Sequence, residues 1–589
     1  MLKRWRQLLI DRINLRSEAV GALIRLAESL LPFEHFARLT GLQDLAYDPT
    51  RDPAWPSPPV DVPGGGMAAS RHQPVPLQRV LLVQPPFALA NRRHKKTMPL
   101  GLLALGGYLK QQFPELGLDL LDAHITNMAP AQVMAYLRTH PADLVCITGW
   151  TGQMPMAYAI ADAMRAAGSA TVVLGGVHAT LCPDEAIEHA DYVVVGEGEL
   201  PLAGLVAALQ ADDPLRPIDG VISSPGGTTC RQFVPDLDAL PDPAWELLPD
   251  WKCYDHPLHV VGGFRFPLMG SRGCPFNCTF CSSPLMWQRK VRWLSPARIV
   301  AEMEEVRRRY QVNQFHFWDD NLVLMRRHMT ELAELILKTD HPYRWVGLSR
   351  ASDIVKHQDI LPLMKRAGCV GLEIGVESFT QVSVDMTRKG EAVEEMVTAT
   401  DCLIRAGITP LFTHMLFTPG ETLAGYPIKE KFIHKLLSGV GLGRRSESEL
   451  GQLTTPHRGT VFAQEAPALG EVLCRNNADF VHHRVNFIPH SLLDDIPRKT
   501  AACPGYPYYF LGTIGGAVYN WTLPDMQDFL KVGAWLWPEI DGRTSIRELS
   551  RRVAARFPHL DPEKALIFTS LNLVGWARDD RVTGLPGRA

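Results

Sequence analysis

Short apolar runs recur along the chain without polar alternation, spaced so that one amphipathic helix fits between each pair. The first series of strand candidates is Val80–Val83, Leu118–Leu121, Leu144–Ile147, Thr171–Leu174 and Tyr192–Val195. Helix-period segments follow them at Leu100–Gln111, Ala131–Arg138, Met156–Ala167, Pro183–His189 and Leu200–Leu209. Apolar runs of this kind suit a parallel sheet covered on both faces. Residues 77–230 therefore read as a small doubly wound α/β domain, with any ligand at the carboxyl ends of its strands.

A second series begins beyond Leu240-Pro241-Asp242-Pro243-Ala244-Trp245, a linker-like stretch. Its strand candidates are Phe264–Met269, Gln314–Trp318, Tyr343–Leu348, Val370–Ile374 and Thr409–Leu416. Helices are expected at Pro296–Tyr310, Met325–Lys338, Ile360–Ala367, Val393–Ala406 and Ile428–Leu437. Residues 231–470 thus predict a full or partial β/α barrel of the TIM type, with its site at the strand C-termini. From 471 to 589 the alternation stops. A mainly helical domain is expected there, ending in Ser545–Phe557, a turn at Pro558–Asp561 and Pro562–Ala577.

Ahead of both series, residues 1–76 hold an amphipathic segment, Met1–Leu42, and a linker rich in Pro and Gly that resists regular structure. Trp5, Leu8, Leu9 and Ile13 can share one helix face, with Arg4, Arg12 and Arg16 nearby. Packing on the protein body and lying on a membrane surface are both open to such a helix. The N-terminus lacks a signal-peptide pattern, and no apolar stretch of about 20 residues predicts a transmembrane span.

Composition adds little until the cysteines. The 46% hydrophobic and 21% charged content is that of a globular protein, and a net charge of −3 excludes the strongly basic surface of a nucleic-acid binder. The eleven cysteines are too scattered for a disulfide scaffold, but three stand together in Gly273-Cys274-Pro275-Phe276-Asn277-Cys278-Thr279-Phe280-Cys281. That grouping points to metal ligation in a reducing, cytoplasmic setting. Structural zinc takes four protein ligands, and no fourth Cys or His lies at a short fixed distance. A [4Fe–4S] cube held by Cys274, Cys278 and Cys281 would keep one iron open for a small molecule.

At these residues the chain resembles the radical S-adenosylmethionine (SAM) superfamily, whose signature is C-x3-C-x2-C with an aromatic residue, here Phe280, before the third cysteine. The resemblance implies that SAM chelates the open iron and is cleaved to a 5′-deoxyadenosyl radical. It extends to further strand ends: Phe317-Trp318-Asp319-Asp320-Asn321, Trp345 to Arg350, Gly371 to Ser378, Pro419-Gly420-Glu421-Thr422, then Pro456, Gly459 and Thr460. It implies a SAM amino group near Asp319, Asp320 and Asn321, its carboxylate at Arg350, and hydroxyls or amine at Glu377 and Ser378. Each carboxylate alone reads equally well as a helix cap.

Residues 77 to about 209 resemble the cobalamin-binding domain that precedes many radical SAM modules. The match lies in Pro99 to Leu103, in Thr148-Gly149-Trp150-Thr151 and in Gly175-Gly176-Val177-His178-Ala179-Thr180, with Gly196-Glu197-Gly198-Glu199 of similar loop character. Glycines after a strand let backbone approach a bulky ligand, and a threonine hydroxyl can bond a nucleotide tail. The loop Gln84 to Ala90 lacks the D-x-H of the methionine-synthase type, and Asp122-Ala123-His124 follows a different strand. Cobalt is therefore expected without a protein histidine, with His94 the dissenting candidate. A degenerate domain that has lost its ligand is the alternative.

Together the two resemblances imply a class B radical SAM methyltransferase. It would methylate an unactivated carbon through methylcobalamin and the 5′-deoxyadenosyl radical. Its partners would be a small-molecule or peptide substrate and an electron donor such as flavodoxin or ferredoxin. The alternatives are a non-methylating radical reaction, such as anaerobic ring cyclisation or rearrangement, and a non-catalytic corrinoid-binding protein. The segment Trp537 to Leu549 resembles the winged-helix peptide chaperones of peptide-maturation pathways, and a structural cap over the barrel mouth reads equally well.

Overall fold

The computed structural model describes residues 77–86, 97–254, 266–428, 452–477, 485–500, 521–578 and 581–585, apart from 127, 129, 169, 249 and 522. The expected N-terminal helix, the linker, His94 and nearly all of Ile428–Leu437 lie outside the described residues.

The first sheet contains β1 (Arg79–Gln84), β2 (Gly117–Asp122), β3 (Leu144–Thr148), β4 (Thr171–Gly175), β5 (Tyr192–Val194) and β6 (Val221–Ile222). Its order is β2-β1-β3-β4-β5-β6, parallel except for the last pair. The period of two along each strand divides the core. Leu81, Val83, Val145, Ile147, Val172 and Leu174 pack with the helices at Met154–Ala167 and Pro183–His189. Val80, Leu82, Leu144, Cys146, Val173 and Val194 pack on the other face with the helices Leu100–Gln112 and Glu199–Gln210. This is why the strands read as unbroken apolar runs: both faces are covered. The direction of winding reverses between β1 and β3, which opens a crevice at their carboxyl ends.

The second sheet begins with β7 (Phe266–Leu268). A two-stranded ribbon of β8 (Ser271–Arg272) and β9 (Arg292–Trp293) follows. Then come β10 (Gln314–Phe317), β11 (Arg344–Ser349), β12 (Cys369–Glu377), β13 (Thr409–Leu416) and β14 (Gln452–Leu453). The order β14-β13-β12-β11-β10-β7 is parallel throughout, which gives a six-stranded partial barrel. Phe315, Phe317, Trp345, Leu372 and Ile374 point outward into a core shared with the helices Pro296–Tyr310, Arg326–Leu337 and Val393–Arg405.

The tail contributes helices Leu523–Glu539, Ile546–Arg556 and Pro562–Arg578. An antiparallel pair, β17 (Ile496–Lys499) with β18 (Val582–Leu585), accompanies them, after the short pair β15 (Gly470–Val472) and β16 (Phe487–Pro489). Its core of Phe529, Trp537, Phe568 and Trp576 is continuous with Leu416, Phe417, Leu423 and Tyr426 at the end of β13. The tail is therefore built onto the barrel's carboxyl end.

Candidate functional site

The cysteine loop leaves the sheet after β8. Gly273 turns it with φ +105°, and a Cβ there would lie 1.9 Å from the Lys290 carbonyl oxygen, so the position admits only glycine. The Thr279 N–H donates to the Thr387 carbonyl at 3.0 Å and fastens the loop's far side to the barrel. Cys274, Cys278 and Cys281 are free and half-buried. The Ser283 N–H donates to Cys281 Sγ at 3.4 Å, a contact that suits a thiolate.

Burial pushes the Cys274 thiol up to about 11 and the Cys281 thiol to about 12. Cys278 is also raised by burial, against the pull of Lys389 and Arg350. Three such thiols ionise together only when a cation displaces their protons. Among the described residues no three His, Cys, Asp or Glu side chains group tightly enough for one metal ion. An iron–sulfur cube presents a separate corner to each thiol, so the donor set and the loop fit a cube better than mononuclear zinc.

Around the loop, the strand-end residues divide by what they already hold. Asp319 is buried and accepts from the Gly270 N–H at 2.9 Å and the Ser271 hydroxyl at 2.5 Å. Asp320 accepts from the Ser283 hydroxyl at 2.9 Å and clasps the loop's exit. Asn321 donates to Asp353 at 2.6 Å and accepts from Ser349 at 2.7 Å. Phe280 packs beside Phe462 and Phe487.

Arg350 stands against the cysteines. Its guanidinium lies 3.6 Å over the Phe276 ring, and one nitrogen is 3.7 Å from Cys278 Sγ. Glu377 adopts φ +59° at an irregularity of β12 and pairs with Lys389 at 3.0 Å. Ser378 donates to Glu421 at 3.1 Å.

Lys389 and Glu391 were not singled out from the sequence, and Glu421 was named only as part of Pro419-Gly420-Glu421-Thr422, with no role. Lys389 and Glu391 form a buried charge cluster with Arg350 and Glu377, in which Glu391 lies 3.4 Å from Lys389 and 3.6 Å from Arg350. Their only signal was two charges flanking a glycine after Thr387, which is also how a solvated turn reads.

A cavity of about 420 Å³ opens at the carboxyl ends of β1, β3, β4 and β5. Thr148, Gly149, Gly175 and Gly176 line it, with Gly101, Gly196 and Gly198. Gly176 has φ +86°, and a Cβ there would meet Thr148 Oγ1 at 2.3 Å, so the strand-end loop lies closer than any side chain permits. Thr151 is not part of this lining, and its hydroxyl is 3.1 Å from His178 Nδ1. The described lining holds no histidine. A glycine cradle with apolar walls fits a large planar ligand approached by backbone.

The opposite wall of this cavity belongs to the barrel. Arg272, two residues before Cys274, lines it, as do Met286 and Trp287 after Cys281. Arg272 bonds Glu197 at 2.9 Å and Glu199 at 2.6 Å, and Arg292 bonds Glu197 at 2.6 Å. The loop Gly196 to Glu199 thus uses its carboxylates to join the first sheet to the base of the cysteine loop. Burial pushes Glu197 up, but bonds from Arg292 and Arg272 outweigh it and hold the carboxyl below its ordinary range.

The profile of the B12 binding domain matches residues 88–206, and that of the radical SAM superfamily matches residues 268–426. These intervals are the cavity's glycine loops and the cysteine loop with its barrel. The chain carries a B12 binding domain followed by a radical SAM domain. It is 28% identical over 414 residues to an uncharacterized methyltransferase of Pyrococcus horikoshii, covering 68% of this chain and 85% of the relative. It is 30% identical over 334 residues to the anaerobic magnesium-protoporphyrin IX monomethyl ester cyclase of Cereibacter sphaeroides, and there spans 54% of this chain and 52% of the relative. The fold is similar to that of the cobalamin-dependent SAM radical enzyme OxsB, solved with aqua-cobalamin and SAM bound. That likeness has a TM-score of 0.56 at 14% identity and covers 85% of this chain and 79% of that one.

Proposed function

We propose that this cobalamin-dependent radical SAM enzyme methylates an unactivated carbon of a small-molecule or peptide substrate. One observation carries the reading: the segments that flank the cysteine loop, Arg272 before it and Met286 and Trp287 after it, form a wall of the glycine-lined cavity. Two reactive centres built this close serve one substrate between them. When bound, the cluster and SAM supply a hydrogen-abstracting radical, and the corrinoid supplies a methyl group to a carbon that polar transfer cannot reach.

The chain's own residues would hold and orient these groups. Cys274, Cys278 and Cys281 would hold the cube. Arg350, fixed over Phe276, offers its guanidinium to a carboxylate beside Cys278. Glu377, linked to Arg350 through Lys389 and Glu391, and Ser378 beside it would offer oxygen to an amine or hydroxyl. Asp319, Asp320 and Asn321 would act one layer behind, by holding the loop. Thr148, Gly149, Gly175 and Gly176 would receive the corrinoid, and Thr151 would support them through His178. Among the described residues no helix is long and apolar enough to cross a membrane. A cytoplasmic setting with a flavodoxin or ferredoxin as electron donor suits a reduced cluster.

Anaerobic reconstitution with iron, sulfide, cobalamin and methyl-labelled SAM tests this by product mass. A gain of one labelled methyl group is expected, and Cys278→Ala should abolish both cluster absorbance and turnover. A product that lacks the label but is oxidised or cyclised would favour the second reading, radical cyclisation, which the 30% identity to the cyclase supports.

A further inference from the structure

Glu302 stands on the helix Pro296–Tyr310 and lines the cavity, yet it is only 7% exposed. Its carboxyl has no hydrogen-bond partner among the described residues. The charges that act on it are Arg298 and Asp242, which are bound to each other at 2.5 Å. A carboxyl enclosed in a cavity wall without a partner is unfavourable, so its presence there calls for a ligand that completes it.

The ligand class follows from the cavity. The edge of a corrin ring carries primary amides, each with one carbonyl and two N–H donors. A neutral carboxylic acid matches such an amide through two bonds: the acid O–H donates to the amide carbonyl, and an amide N–H donates to the acid carbonyl. We propose that Glu302 is a specificity residue for the corrinoid, pairing as a neutral acid with one primary amide of the ring edge. This rests on the reading that the cavity holds the corrinoid.

The surroundings favour the neutral form. Burial raises Glu302 to about 7, Arg298 pulls it down and Asp242 pushes it up. Across the cavity Glu197, Glu199 and Arg272 are consumed in their own ion pairs. Burial pushes the Cys146 thiol on β3 up to about 12. On the neighbouring helix, burial lowers His328, whose ring bonds the Leu294 carbonyl at 2.7 Å. Glu302 thus changes charge near neutrality in the described cavity wall. The acid–amide pair is complete below pH 7 and is lost as pH rises past it, because the carboxylate can no longer donate.

Hydroxocobalamin binding to the full chain, followed by quenching of tryptophan fluorescence, tests this; Trp150, Trp287 and Trp318 line the cavity. Wild type should bind up to about 30-fold more weakly at pH 8.5 than at pH 6, the limit when only the neutral acid binds. Glu302→Gln, which bonds an amide without a titrating proton, should bind tightly and equally at both. Glu302→Leu should bind weakly at both, with unchanged circular dichroism as the control for folding. Wild-type pH dependence retained in Glu302→Gln, or Glu302→Leu binding like wild type, would overturn the inference while leaving the corrinoid reading intact. Wild type that binds no hydroxocobalamin at either pH would overturn both.

Discussion

Glu197 tests whether the two centres are held together by charge. Its side chain is 2% exposed, and those of Arg272 and Arg292 are each 13% exposed. It accepts from both guanidiniums and, at 2.7 Å, from the Val234 N–H. Removing one partner of a buried pair typically costs about 3–5 kcal/mol, because the other charge is stranded. Two features place Glu197→Ala at the low end, about 3 kcal/mol. Arg272 keeps Glu199 at 2.6 Å, and Arg292 keeps the Val234 carbonyl at 2.8 Å. In a chain of several domains a global unfolding midpoint would blur this loss. Amide hydrogen exchange reads it locally. Amides of β5, of β8 and at Val234 should exchange about 100-fold faster in Glu197→Ala, since each 1.4 kcal/mol is a factor of ten. Because the Glu197 carboxyl is held below its ordinary range, its contribution is fully present above the ordinary carboxylate pKa. It should fade only as pH falls below about 4. A change under fivefold, or a loss already present at neutral pH in wild type, would refute the view that this ion cluster joins the domains.

Two further outcomes follow from the loop's geometry. Gly273→Ala must relieve a Cβ placed 1.9 Å from a backbone oxygen at φ +105°, beyond the roughly 1–3 kcal/mol of a strained residue; iron content after reconstitution should collapse while the far-ultraviolet circular dichroism is kept. Arg350→Lys keeps the charge but loses the fork and the stacking on Phe276 at 3.6 Å, so calorimetry on cluster-loaded protein should show SAM affinity reduced about tenfold or more; unchanged affinity would remove Arg350 from the SAM site.

The strands of the first sheet were legible because helices cover both of its faces, so burial leaves its mark on the sequence as unbroken apolar runs; in the second sheet the pattern alternates, as in Gln314–Phe317, where Phe315 and Phe317 are buried and Gln314 and His316 only partly so. Thr409–Leu416, Pro296–Tyr310 and Pro183–His189 fall at the predicted bounds. What was missed is too short or too mixed for periodicity. β6, β8, β9 and β14 have two residues each. The helix Ala351–Lys356 is hidden directly behind a strand end, and Leu523–Glu539 carries prolines near both ends.

The site divides along a similar line, set by how local the chemistry is. The three cysteines lie within eight residues, and the glycine turns sit at the strand ends that need them, so chain order alone displays them. Asp319 shows the limit. A carboxylate after a strand reads the same whether it meets a ligand or, as here, two donors on the preceding strand's exit. The joining charges are further from reach, because Glu197 meets arginines 75 and 95 positions away and Lys389 meets Glu377 only through a folded loop. A chain that must bring two separately built ligand sites to one substrate cannot encode their junction locally. The carboxylates of Gly196-Glu197-Gly198-Glu199 instead have to find their partners at the base of the cysteine loop. Correct docking of the two sheets is then coupled to correct formation of the loop that carries the thiols.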